Sequence, residues 1–465
     1  MPNVVVGVSL LLVVLQLRGE TTGDVATLVA LPLVALLAFI ADRRYFPAIL
    51  LLCLPALGII GGRDAGGVTP SLLNPFVFPR ASTFAVLAGV EVAAPLALLA
   101  GAFARVVLEM LRGGPAFRGV VPLWAVTAFL LALVPVLMGG LQGQALGYNR
   151  WSQGVRAMLV VSGFLWGVIV ARRADGVAAR RLGVQLTGLS VVGAALMSAG
   201  LLRGMLLFVA VGLAGGVMPY FISRRRFLEA ILCGIAATVA AVAMTLTTAG
   251  SVVLALGCVA LSAPHARALG RWLLRVGIFA AVVLSGLMIW AVVQLRDKTL
   301  LEVATREEGV LAYSIFKLMG DRGPLWLAAV EQITGGPYFI VPGGRPLRPE
   351  NFDYGGLVYT WEFGAHNSVL ELLRNTGLLG GAAALVLIGF AVLSAVRLLV
   401  GTRDDALRGV AAGFLGVAIV GMTTGNYPVY DEGFFIWAVG GMLAGAALYA
   451  PRRDQAGPAP GAAAP

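Results

Sequence analysis

Charge is scarce in this chain. Only 12% of its 465 residues are Asp, Glu, Lys or Arg, about half the share of a soluble domain. Apolar residues make up 59%, and the mean hydropathy is +0.90. Lysine is nearly missing: Lys298 and Lys317 are the only two. The basic character is therefore almost all arginine, a trait that fits the composition of a GC-rich bacterial genome. Three cysteines, Cys53, Cys233 and Cys258, lie inside apolar runs without metal-ligand spacing, so they are expected to pack as small hydrophobes. No period-2 alternation is present, which argues against a membrane β-barrel. The early outer loops carry no acidic pair, Asp64 standing alone, so nothing there points to a divalent metal. No basic stretch precedes the first apolar run, Val4 to Leu17, and no convincing cleavage site follows it. It reads as a short retained helix and not as a removed signal peptide.

What is present is a succession of apolar runs, many of about 20 residues, enough to cross a ~30 Å hydrocarbon core. They lie near residues 4–17, 24–41, 45–61, 82–104, 119–138, 154–171 and 183–200, then near 204–222, 226–247, 250–264, 272–294, 376–399, 407–426 and 433–450. The expected fold is an all-α polytopic membrane protein of about 14 transmembrane helices (12–14), with one long, partly helical loop outside. Its expected divisions are an N-terminal bundle of about 11 spans over 1–294, a loop over 295–375, about three spans over 376–450, and a disordered tail over 451–465.

The net charge of +11 could suggest nucleic acid, but its placement argues for none. Arginines concentrate in alternate short loops, at 43–44, 105–118, 172–181, 224–226, 267–271, 397–408 and 452–453. The positive-inside bias then puts both termini in the cytoplasm and the 295–375 loop outside. No internal repeat and no inverted pair of broken helices is visible, which weakens a transporter reading.

The long loop holds the residues most suited to chemistry. Asp321 resembles an N-cap, with Pro324 in the first turn of a helix from Arg322 to about Ile333. That helix would place Trp326, Ala329 and Ile333 on much the same face. Residues 338–362 are rich in Gly, Pro and aromatics and read as an irregular flap. The loop closes on Ala365-His366-Asn367-Ser368, where Asn367 or Ser368 can cap the next helix. One of only two histidines, His366, thus falls at a helix start near the outer boundary; the other, His265, falls in an arginine-rich loop and is given no role. Histidine serves often as a general base because its pKa lies near the operating pH. The bland alternative is a loop histidine that merely caps or packs. Arg322 at a helix N-terminus suits a diphosphate, since its planar fork binds phosphate oxygens bidentately. A solvated arginine paired with a carboxylate is its alternative. Arg203 lies at an outer turn between two apolar runs, where snorkelling to the interface would also explain it. Interfacial anchoring accounts for Arg150 and Arg156 around Trp151; Asp431 and Glu432, with Tyr427 and Tyr430, could orient His366 or bind acceptor, but an ordinary solvated loop with interfacial tyrosines explains them as well or better. Glu91, expected inside the fourth span, is an intramembrane carboxylate without an obvious partner.

Two motifs carry a resemblance. The first is the His366-Asn367 pair, followed by an aliphatic helix and the glycines Gly377 and Gly380. The second is Arg322 with Trp326 four residues on, in an amphipathic helix that ends at Pro337-Tyr338. Over residues 320–385 the chain resembles the O-antigen ligase and O-antigen polymerase superfamily of bacterial membrane glycosyltransferases. Elsewhere the likeness is architectural. The resemblance implies that His366 deprotonates an acceptor hydroxyl, while Arg322 and an arginine like Arg203 neutralise the leaving diphosphate. Asn367 and Trp326 would support them, and neither metal nor cofactor would be needed. The donor implied is an undecaprenyl-diphosphate-linked glycan, the acceptor a glycan or glycolipid, and the place the outer face of the bacterial inner membrane. One departure is clear: many members carry a Ser-Arg pair after a threonine in a middle span, where this chain reads Thr247-Thr248-Ala249-Gly250-Ser251. Either Arg203 or a loop arginine such as Arg345 or Arg348 takes over the second phosphate contact, or the donor is held differently. Against a ligase or a repeat-unit polymerase stands a polysaccharide or lipid exporter, which would need more polar residues in its spans. A metal-dependent transferase would need early acidic pairs.

Overall fold

The computed structural model describes residues 25–42, 85–87, 90–92, 94–113, 148–170, 177–185, 351–354, 357–360, 367–402, 404–424 and 433–449, with single positions such as Phe46, Trp326, Ala329 and Ile333. In chain order its elements are α1 (Val25–Ile40), β1 (Ala85–Leu87), β2 (Val90–Val92), α2 (Ala94–Leu111), α3 (Tyr148–Val170), β3 (Asn351–Tyr354), β4 (Leu357–Thr360), α4 (Ser368–Gly401), α5 (Asp405–Thr424) and α6 (Gly433–Tyr449). The packed body is helical. Two stretches, Thr376–Gly401 and Asp405–Met422, are long and apolar enough to cross a membrane by length and composition, while Val160–Val170 and Gly433–Leu448 are shorter apolar stretches. Six expected spans therefore correspond to described helices. The others, near 4–17, 45–61, 119–138, 183–200, 204–222, 226–247, 250–264 and 272–294, lie outside the described residues apart from isolated positions or ends.

Three boundaries differ from expectation. The run near 82–104 does not start as a helix: β1 and β2 pair antiparallel, with Ala85 opposite Val92 and Leu87 opposite Val90. In the sequence Ala88 and Gly89 stand between the two strands, and Val86, Val90 and Val92 are residues that favour extended backbone. Glu91 therefore belongs to a hairpin strand, opposite Val86, and not to a helical span. In the loop, 351–354 and 357–360 are not irregular, because β3 and β4 pair from Asn351↔Thr360 to Tyr354↔Leu357. Adjacent glycines between β-forming residues are a two-residue hairpin signal that composition alone does not reveal. Finally, α3 takes in Arg150, Trp151 and Arg156, which were expected at the outer loop and its boundary.

The helices meet backbone to backbone. Gly163 and Gly167 lie four residues apart on one face of α3. A Cβ added to Gly163 would sit 2.6 Å from the Phe434 carbonyl oxygen, and one on Gly167 would overlap the Ala438 carbonyl. From the other side, a Cβ on Gly441 would overlap the Phe164 carbonyl. Phe434 faces Gly163 and Ala438 faces Gly167, so α3 and α6 run in the same direction. α1 and α2 do too, since Gly101 abuts Ala35 and Arg105 Nη1 donates to the Phe39 carbonyl at 3.5 Å. Such close approach through small residues, with interhelical hydrogen bonds, is the kind of contact that holds helices together in lipid, where association brings little hydrophobic gain.

Trp166 joins three parts of this body. It is fully buried, stacks on Phe46 at 5.0 Å, and meets Phe434 of α6 at 5.6 Å. Its indole N–H donates to the Ala38 carbonyl near the end of α1 at 2.9 Å, which satisfies the one polar atom the ring buries. Phe164 then meets Phe390 of α4 edge-on at 6.4 Å, and Phe414 of α5 meets Trp437 of α6 at 5.9 Å.

The α4–α5 connection is short and heavily bonded. The Thr402 N–H donates to the Leu398 carbonyl at 3.0 Å, and Asp404 Oδ1 accepts from the Ala406 and Leu407 N–H groups, each at 3.0 Å. Arg408 donates to the Thr402 carbonyl at 2.5 Å. At the far end, Ser368 Oγ donates to the Gly421 carbonyl at 3.3 Å, so the two helices form an antiparallel pair clamped at both ends.

Gly167→Ala should lower stability by about 1–3 kcal/mol, because the added methyl must push α6 away. Gly389→Ala, where a Cβ meets no atom within 4 Å, should be neutral or stabilising by about 0.4–1 kcal/mol. Thermal unfolding of both variants in detergent checks the pair; equal melting temperatures would contradict the packing described.

Candidate functional site

The best-defined part of the candidate site is the start of α4. Asn367 has an extended backbone (φ −147, ψ 113), and its side chain accepts from the backbone N–H groups of Val369 at 3.0 Å and Leu370 at 3.2 Å. Of the two candidate caps, Asn367 is the one used. Its own carbonyl accepts from the Glu371 N–H at 2.9 Å, which closes the first turn. Ser368, fully buried, instead ties this turn to α5 through Gly421.

Nine residues on, the helix breaks. Gly377 has φ 67 and ψ −177, a left-handed backbone that glycine adopts without a Cβ clash. Just before it, Thr376 Oγ1 donates back to the Leu372 carbonyl at 2.7 Å. The segment 368–376 is thus a short helix between a cap and a kink, set ahead of the long apolar stretch.

Inside that segment lies an ion pair. Arg374 Nη2 is 2.6 Å from Glu371 Oε1, with side-chain exposures of 5% and 0%. Burying two charges costs several kcal/mol per ion unless geometry and further hydrogen bonds offset it. Such a pair, in a chain this poor in charge, holds the two turns next to His366 in one arrangement. In the sequence Glu371 and Arg374 fall within the aliphatic helix that follows His366-Asn367. The signal that could have singled them out is opposite charge at i,i+3 within apolar sequence.

The other expected site residues divide by where they fall. His366, the residue before the cap, lies outside the described residues, as do Arg322 and Arg203. So do Arg345, Arg348, Tyr427, Tyr430, Asp431 and Glu432. Trp326 is helical and partly exposed, and its indole N–H is buried without a hydrogen-bond partner. On the same stretch Ala329 and Ile333 are buried while Val330 is 42% exposed and Thr334 is exposed, which is the amphipathic pattern expected of this helix. Among the described residues, no group of three or more His, Cys, Asp or Glu side chains could hold a metal ion.

No protein-family model matches this chain, and neither do any curated protein or solved structure at a significant level.

Removing one member of the buried pair takes from the other its 2.6 Å partner. Glu371→Gln or Arg374→Gln should each cost about 3–5 kcal/mol, whereas the double apolar variant Glu371→Met/Arg374→Leu should lie much nearer wild type. Melting curves of all three variants would expose an error if the single changes proved harmless. Asn367→Ala should cost about 1 kcal/mol through loss of the cap, and Asn367→Asp should not.

Proposed function

We propose that this chain is a multi-pass membrane glycosyltransferase of about 14 spans, resembling O-antigen ligases and polymerases. It would transfer a glycan from undecaprenyl diphosphate to an acceptor hydroxyl at the outer face of the bacterial inner membrane, with both termini in the cytoplasm. His366 is the base, while Arg322 and Arg203 compensate the leaving diphosphate. Asn367 and Trp326 support the site.

The observation that carries the reading is the start of α4. Directly after His366 come an asparagine cap, a serine tether to α5 and a buried ion pair, all ahead of a glycine kink. A base that must meet a hydroxyl within hydrogen-bond reach needs a rigid mount, and this is one. The shared directions of α1 with α2 and of α3 with α6 support the topology, because charge alternation requires them. The α4–α5 pair also sets Arg397 and Arg408 at the end away from Asn367 and Ser368, in keeping with the positive-inside bias.

The chemistry follows from charge. The acceptor hydroxyl gives its proton to the imidazole as its oxygen attacks the anomeric carbon, and the bond to the diphosphate breaks. Negative charge then grows on the departing phosphate oxygens, where preorganised guanidinium groups stabilise it without reorganising water.

The test compares surface glycan and carrier-linked glycan in a parent strain, a deletion, and the deletion carrying wild type or a variant. His366→Ala should lower transfer by about 10²–10⁴-fold at normal protein level, and Arg322→Ala should also impair it. Accumulation of single repeat units on the carrier would identify a polymerase; accumulation of full-length polymer would identify a ligase. If His366→Ala restores the parent pattern, the assignment of the base is wrong.

A further inference from the structure

The helical segment 177–185 follows α3 and has two unlike faces. Ala178, Ala179 and Leu182 are buried in the common core. Val177, Arg180, Arg181 and Val184, at positions i, i+3, i+4 and i+7, form the opposite face and are all exposed. The valines are 56% and 42% exposed. Among the described residues no carboxylate pairs with either arginine. Arg172 and Arg173 add two more positive charges just upstream in the sequence.

A face turned to bulk water gains nothing from branched apolar side chains bracketing its charges. A face lying on a bilayer does: valines reach the acyl boundary while arginines extend to the phosphates above it. Guanidinium groups suit those phosphates because two N–H donors meet two oxygens in one plane. Val177 and Val184 are seven residues apart, about 10 Å along the axis, with both arginines between them. The buried face holds the segment on the bundle, so this surface is presented already folded.

We propose that the Val177–Arg180–Arg181–Val184 face lies on the membrane surface and binds the phosphate groups of anionic phospholipids. The proposal rests on the reading of the chain as a membrane protein. It is independent of the transfer chemistry.

The experiment uses the full chain purified in a neutral detergent. Its thermal melting is followed while phosphatidylglycerol, phosphatidylcholine or inorganic phosphate is added. Phosphatidylglycerol should raise the melting temperature of wild type and of R180K/R181K, and phosphatidylcholine and inorganic phosphate should not. In R180Q/R181Q the apparent affinity for phosphatidylglycerol should fall roughly 10- to 30-fold, with melting in phosphatidylcholine unchanged. An equal response to phosphatidylcholine, reproduction of the effect by inorganic phosphate, or an undiminished response in R180Q/R181Q would each overturn the proposal. Recovery of the chain from cells without detergent would overturn the membrane reading beneath it. A detergent-requiring chain without lipid preference would overturn this inference alone.

Discussion

The close approach of α3 and α6 is the constraint on which the described structure depends. Gly163, Gly167 and Gly441 let two backbones come together where any side chain would collide with a carbonyl. That contact brings Phe434 onto Trp166, and Trp166 in turn reaches α1 by a hydrogen bond to Ala38. Remove the glycines and the bond to α1 has no fixed platform. This dependence is strongest if the surroundings are lipid, because apolar burial between helices then gives little net drive. Dispersion contacts and a few hydrogen bonds must hold the bundle, and both fall away steeply with separation.

The start of α4 applies the same economy to a polar problem. Its first turn has orphan N–H groups, an embedded carboxylate and an embedded guanidinium, all close to apolar sequence. Asn367 satisfies two of the N–H groups, and Glu371 and Arg374 answer each other. Ser368 then fastens the turn to a second helix, so the cap cannot fray without disturbing α5. The kink at Gly377 separates this short polar helix from the long apolar stretch. In the reaction proposed above, which would depend on the placement of one imidazole, the value of the arrangement would lie in stiffness, not in added stability.

Much of the helical framework was legible in the residues. The runs near 24–41, 154–171, 376–399, 407–426 and 433–450 became helices because long apolar sequence without turn residues has few other ways to satisfy its backbone. The run near 82–104 misled, since apolarity does not distinguish a helix from a short β-branched hairpin. The same holds for 351–354 and 357–360, which pair as strands although their composition has the general look of a loop. At the site, capping by Asn367 could be anticipated from side-chain chemistry. The partner of Ser368 could not, because Gly421 lies 53 residues away and its carbonyl is available only at the end of a helix.

By itself, then, the sequence determined the local matters: a helical, charge-poor chain, arginines gathered in alternate loops, an asparagine at a helix start and a glycine at a kink. These are set by hydropathy, propensity and backbone sterics, which act over a few residues. Only the tertiary structure decided which glycines lie in helix contacts, that α3 packs against α6, and that Glu371 and Arg374 are buried together and not solvated. Burial is a property of what packs around a residue, and those neighbours come from distant parts of the chain.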